Sequence, residues 1–275
     1  MTTRQTWLIT GASRGLGRAL VLAALAEGHC VLAAVRGAHS LPEHERLQVH
    51  RLDVADSSAA AGAVDAATAI EGRLDVLVDN AGYGLIGTAE EVGEDEVREL
   101  LDVDLLGPPW LCRAALPVMR RQGSGHIVQI STVGAVGTMP TLGVYNAAKW
   151  GLEGWTEAMA AEVAPFGVRV TLVQPGEIAT DWAGGSMRFA APMPEYDDLR
   201  RELFGAAEVP WPTDGPQGGT PPAEVAAEIL AHVADRSDAR FRLLVGDDAP
   251  GQVRAALEKR LADYALDPRW AASAL

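Results

Sequence analysis

"TWLITGASRGLG", residues 6–17, sets a short apolar run directly against a glycine-rich turn. The run has no polar alternation, which suits a strand covered on both faces, and the turn leads into an Ala- and Leu-rich helical pattern over 16–27. A strand that turns tightly into a helix gathers backbone amides and the positive end of the helix dipole at one point. Glycines at 11, 15 and 17 would let a pyrophosphate approach that backbone closely. The spacing is TGxxxGxG, not the commoner GxGxxG.

The alternation then repeats. Apolar runs recur at 30–35, 47–52, 74–79, 126–131, 168–173 and 241–245, with helical patterns at 57–71, 94–106, 109–121, 146–164 and 223–234 between them. This predicts an α/β fold, a Rossmann-like doubly wound parallel sheet flanked by helices, in a single domain over 1–275. Residues 176–222 break the pattern. They are rich in Gly and Pro but carry Trp182, Met187, Phe189, Met193, Tyr196, Phe204 and Trp211, as an irregular substrate-binding lid would.

Bulk properties narrow the partners. With 48% hydrophobic residues the 275-residue chain can bury a sizeable core, and a net charge of −14 disfavours nucleic acid or an anionic membrane. Cys30 and Cys112 both fall in apolar segments, as buried free thiols of a reducing compartment would. The N-terminal apolar run is too short for a signal peptide and no stretch is long enough to span a bilayer, so a cytoplasmic protein is expected. No His, Cys, Asp or Glu cluster has metal-ligand spacing, and no metal is expected.

"GASRG", residues 11–15, also fits G-x-S-x-G, the nucleophile elbow of α/β-hydrolases. An elbow needs preceding strands and an oxyanion loop, and too little chain precedes Gly11 to supply them. The downstream histidine such a triad would need, His232, sits in an Ala-rich helical pattern. The nucleotide reading is preferred.

"YNAAK", residues 145–149, places Tyr145 and Lys149 at i, i+4 on one face of a helical pattern. A free phenol titrates near 10, too high for efficient proton exchange at neutral pH, and a nearby ammonium lowers that value. Upstream, "ISTVG", residues 130–134, ends a strand on two adjacent hydroxyls, Ser131 and Thr132, which should diverge to opposite faces.

Together "TGASRGLG", "DNAG" (79–82), the hydroxyl strand end, "YNAAK" and "PGEIAT" (175–180) resemble the motifs of the short-chain dehydrogenase/reductase family, in that family's order and over nearly the whole chain. The resemblance implies that Tyr145 exchanges the substrate proton while Lys149 holds the nicotinamide ribose and depresses the Tyr pKa. It implies cofactor contacts from Gly11, Ser13, Arg14, Gly15, Leu16 and Gly17 in the turn, from Arg36, Asp53 and Val54, and from Asn80, Ala81 and Gly82. Tyr145, Lys149, Pro175, Gly176, Ile178 and Thr180 would receive the nicotinamide end.

Two positions depart from the family pattern. The catalytic hydroxyl usually lies thirteen residues before the Tyr, which selects Thr132 where the family has Ser and leaves Ser131 a packed neighbour. The family's usual Asn is replaced by Asp104, whose main-chain carbonyl could still hold the water chain to the Lys, but whose carboxylate would favour the ammonium.

The cofactor end is basic. Val35 ends the second strand where NAD-using members carry an acid, and Arg36 and Arg14 could bind a 2′-phosphate, so NADP(H) is expected. The expected activity is NADP(H)-dependent interconversion of a hydrophobic ketone or aldehyde and its alcohol, in a homodimer or homotetramer. The alternative is a nucleotide-binding sensor or scaffold with little turnover.

Overall fold

Trp7 and Ile9 face one helix layer and Leu8 faces the other, which is why β1 (Thr6–Thr10) is buried at every position. In this computed structural model, which describes residues 4–179, 186–209 and 218–270, β1 lies inside a seven-stranded parallel sheet, next to its central strand. Its companions are β2 (Cys30–Val35), β3 (Leu47–Arg51), β4 (Val76–Asp79), β6 (Gly125–Ile130), β7 (Val168–Pro175) and β9 (Arg242–Val245), in the order β3-β2-β1-β4-β6-β7-β9. The chain runs outward from β1 to β3, then returns to start the other half at β4. That reversal opens a crevice beyond the carboxyl ends of β1 and β4, where a doubly wound sheet binds its ligand.

One helix layer contains α1 (Gly15–Ala26) and α7 (Pro222–Ala234), packed through Leu20, Val21, Ile229 and Leu230. The other contains α2 (Ala60–Glu71), α4 (Gly107–Gln122) and α5 (Gly143–Val163), meeting the sheet through Val64, Leu111, Met119 and Met159. Cys30 and Cys112 are buried and free. Among the described residues no helix is long and apolar enough to cross a membrane.

Four details differ from the sequence reading. β3 is an edge strand with Val49 exposed, not a strand covered on both faces, because sheet pairing ends there. The pattern over 94–106 divides into α3 (Glu94–Leu101) and a π turn, Asp102–Leu106, before α4 begins. The described parts of the lid are regular: β8 (Met187–Phe189) pairs in parallel with β5 (Gly84–Ile86), and α6 (Asp197–Phe204) follows. Buried Arg200 pins α6 by pairing with Glu91 and by donating to the carbonyls of Met193 (2.6 Å) and Ala207 (2.9 Å). Lastly, α8 (Ala249–Tyr264) forms where no apolar stripe announced it, and Leu257, Leu261 and Tyr264 remain exposed.

Candidate active site

A cleft of about 680 Å³ opens at the carboxyl ends of β1, β2, β4, β6 and β7. The glycine-rich turn forms its floor. Gly11 adopts φ +63°, and a Cβ on Gly17 would lie 2.3 Å from the Gly11 carbonyl oxygen, so the turn closes on itself only without side chains. Asn80 braces it from β4: its Nδ2 donates to the carbonyls of Thr10 (2.9 Å) and Gly11 (3.3 Å). Thr10 Oγ1 in turn accepts from the amides of Asn80 (2.9 Å) and Ala81 (3.0 Å).

These residues fit a dinucleotide. The first turn of α1 has no side-chain cap, which leaves its amides free to meet a phosphate where Ser13, Arg14, Gly15, Leu16 and Gly17 line the cleft. Arg36, Leu52, Asp53 and Val54 line it from the ends of β2 and β3. Among the described residues neither Arg14 nor Arg36 has a carboxylate partner. Asn80, Ala81, Gly82, Pro175, Gly176 and Ile178 also line the cleft, whereas Thr180, Trp182 and Trp211 lie outside the described residues.

The two strand-end hydroxyls diverge as strand geometry requires. Ser131 Oγ turns inward and donates to Glu153 Oε1 at 2.6 Å. Thr132 Oγ1 accepts from the Gly134 amide at 3.1 Å and shares a hydrogen bond with the buried Tyr145 hydroxyl. One turn along α5, Lys149 Nζ donates to the Ile130 carbonyl at 3.2 Å and pairs with Asp104 Oδ2 at 3.3 Å. Ser131, Thr132, Tyr145, Lys149 and Asp104 therefore converge on one end of the cleft.

Asp104 is fully buried in the π turn. Its Oδ1 accepts from the Tyr83 amide at 3.0 Å, and Gly82 leaves the room: a Cβ there would lie 2.7 Å from Asp104 Oδ2. The main-chain carbonyl of Asp104 is open for a different reason. Its α-helical donor would be residue 108 and its π-helical donor residue 109; both are proline and have no N–H. "GPP" at 107–109 is thus a sequence signal for this free carbonyl that the motif search passed over.

The electrostatics reverse one expectation. Burial, reinforced by the Asp104 carboxylate, pushes the Tyr145 phenol above its ordinary value, and the bond to Thr132 only partly offsets this. The anticipated depression by Lys149 is missing because its ammonium is engaged by Asp104 and the Ile130 carbonyl, 5.9 Å from the Tyr145 ring centre. Burial likewise raises Asp104, against the pull of Lys149 and the Tyr83 amide.

Residues to which the sequence assigned no catalytic or cofactor role complete the site. Tyr83 and Arg188 form one wall, the guanidinium 4.5 Å over the ring and held at 2.5 Å by Glu99. Glu153 and Gln174 lie behind Ser131. The hydrolase alternative loses its base, because His232 is bound to Thr171 (2.9 Å) and Asp238 (2.7 Å), not to Ser13.

Comparison with known proteins shows the family. The family model described as short chain dehydrogenase matches residues 5–188. Oxidoreductase BOA17 of Botryotinia fuckeliana is 36% identical over 250 residues, covering 88% of this chain and 89% of that protein. A crystal structure of a short-chain dehydrogenase from Streptomyces avermitilis superposes with a TM-score of 0.83 at 35% identity, covering 94% and 95% of the two chains. An alcohol dehydrogenase from the archaeon Thermococcus sibiricus, complexed with 5-hydroxy-NADP, gives a TM-score of 0.70 at 25% identity, covering 89% and 97%. Motif order, the doubly wound sheet and the matched span agree: this chain belongs to the short-chain dehydrogenase/reductase family and is an oxidoreductase of that family.

Proposed function

We propose that the chain is an NADP(H)-dependent carbonyl reductase or alcohol dehydrogenase acting on a hydrophobic ketone or aldehyde and the corresponding alcohol. The observation that carries this reading is the meeting of Tyr145, Thr132 and Lys149 at one end of the cleft, with Arg14 and Arg36, which have no carboxylate partner among the described residues, at the other. A bound nicotinamide supplies or accepts hydride at the substrate carbon. Tyr145 supplies or takes the proton at the substrate oxygen, Thr132 steadies that oxygen, and Lys149 holds the ribose.

The elevated Tyr145 phenol supports reduction as the favoured direction. A phenol that keeps its proton at neutral pH is ready to protonate a nascent alkoxide, whereas alcohol oxidation needs the phenolate. Met187 and the Tyr83 ring give the substrate side apolar surface, which supports a hydrophobic carbonyl compound. Arg14 and Arg36 support NADP over NAD through charge-assisted hydrogen bonds to a 2′-phosphate.

A spectrophotometric screen of aldehydes and ketones with NADPH and NADH side by side tests the reading: oxidation of NADPH at much lower KM than NADH is expected, and equal use of both would refute the preference. The Asp104–Lys149 pair favours one further reading, a nucleotide-binding sensor with little turnover. Calorimetric binding of NADPH with no oxidation across the panel would select it.

A further inference from the structure

Three residues at four-residue spacing on α5, Tyr145, Lys149 and Glu153, each meet the end of β6. Tyr145 bonds to Thr132, Lys149 to the Ile130 carbonyl at 3.2 Å, and Glu153 to Ser131 Oγ at 2.6 Å. The first two carry the proposed chemistry. Glu153 faces away from it and lines no part of the cleft.

Glu153 is nevertheless the most heavily bonded of the three. Gln174 Nε2, from the end of β7, donates to both its oxygens at 2.8 and 3.0 Å, and Arg242 Nε of β9 lies 3.6 Å from Oε2. One buried carboxylate thus ties α5 to β6, β7 and β9 directly beneath Thr132, Tyr145 and Lys149. A helix resting on a sheet through apolar contacts alone can slide by fractions of an ångström at small cost, and hydrogen bonds with fixed angles stop that motion. Proton transfer at a shared oxygen is intolerant of such displacement.

We propose that Glu153 is a positioning residue, acting through Ser131 and Gln174 to hold α5 in the register that brings Tyr145 and Lys149 to Thr132. Ser131 is then its anchor, not a second catalytic hydroxyl. This rests on the proposed function for its kinetic consequence, though not for its geometry.

Glu153→Gln keeps one oxygen for Ser131 but sets an amide nitrogen against Gln174 Nε2 at the other, while Glu153→Gln with Gln174→Glu gives that nitrogen a carboxylate to donate to. With NADPH and phenanthrenequinone as an activated hydrophobic dicarbonyl, the single variant should lose about tenfold or more in kcat with KM for NADPH within about twofold. The double variant should recover most of the loss. A single variant that melts earlier but turns over as the wild type when folded would overturn the proposal, as would a double variant no better than the single. Crystal structures of wild type and Glu153→Gln supply an arm independent of turnover. Unchanged Tyr145–Thr132 and Lys149–Ile130 contacts in the variant would also overturn it, whereas a wild type that reduces no carbonyl compound refutes only the proposed function.

Discussion

Two buried polar clusters flank the same strands, β6 and β7, and only one of them reaches the cleft. At the carboxyl ends lie Ser131, Thr132, Tyr145, Lys149, Asp104 and Glu153. Further down the strands, His126 Nε2 and His232 Nε2 each sit 2.9 Å from Thr171 Oγ1, with Asp238 2.7 Å behind His232. By residue type the second cluster, a hydroxyl, an imidazole and a carboxylate, looks the more catalytic. Its hydroxyl can donate to only one imidazole and must accept from the other, and the bonds close within the cluster except at His126 Nδ1, which is buried without a partner among the described residues. None of its members lines the cleft. Perturbed ionisation is common to both clusters; an open face toward a ligand belongs to one.

Substitutions can break this comparison, and the largest effect is expected at Tyr145. Tyr145→Phe should lower kcat by about a thousandfold with little change in melting temperature, as loss of a general acid does. Thr132→Ala should follow at about a hundredfold, and Ser131→Ala should cost far less. The reverse ranking would make Ser131 the active hydroxyl.

The histidine cluster should answer in stability instead. Burial, with smaller contributions from Arg169 and His232, lowers His126 to about 3, well below its value in an unfolded chain. The unfolded state therefore takes up the proton first, and stability is lost as pH falls from about 6.5 toward 3. Asp79 carries the opposite slope: burial raises it to about 7, which favours the fold when the acid is protonated and is lost as pH rises through 7. Comparing wild type with His126→Gln cancels Asp79. Their difference in unfolding free energy should shift by about 2 kcal/mol against wild type between pH 7 and pH 4.5, read by denaturant titration. A turnover loss in His126→Gln comparable to that of Tyr145→Phe would dissolve the distinction.

At the cofactor end, Arg36→Ala should narrow the NADPH-over-NADH ratio of kcat/KM by about tenfold, the worth of one charge-assisted hydrogen bond. The subtlest change is at Asp104. Since its carboxylate helps hold the Tyr145 phenol up, Asp104→Asn should move the rising limb of the pH profile for alcohol oxidation to lower pH. An unmoved limb would make the carboxylate incidental.

Much of this was legible in advance because it depends on local pattern. β1 and β2 were readable residue for residue, since strands covered on both faces carry apolar runs without polar alternation. The spacing to Tyr145 picked out Thr132, and both residues line the same end of the cleft. What was hidden depends on contacts between distant parts of the chain. Nothing local to "KWGLEGW" says that Glu153 meets Ser131 and Gln174, and nothing in 187–189 says that it pairs with 84–86. The Tyr145 expectation failed for the same reason: a Tyr–Lys spacing reports the ammonium, while the carboxylate that engages it arrives from another element.

The prolines after the π turn show how a site can be made by subtraction. Pro117 withholds one helical N–H from the Arg113 carbonyl further along α4, but Pro108 and Pro109 withhold both the α- and the π-helical donor from Asp104 and leave its oxygen with bonding capacity that its own helix does not use. Such an acceptor needs no extra side chain and adds no bulk beside Lys149. It also cannot be lost by a rotamer change, because it belongs to the backbone. Restoring a single N–H at 108 would let the helix close over it, so the most consequential atom at that corner is one the sequence leaves out.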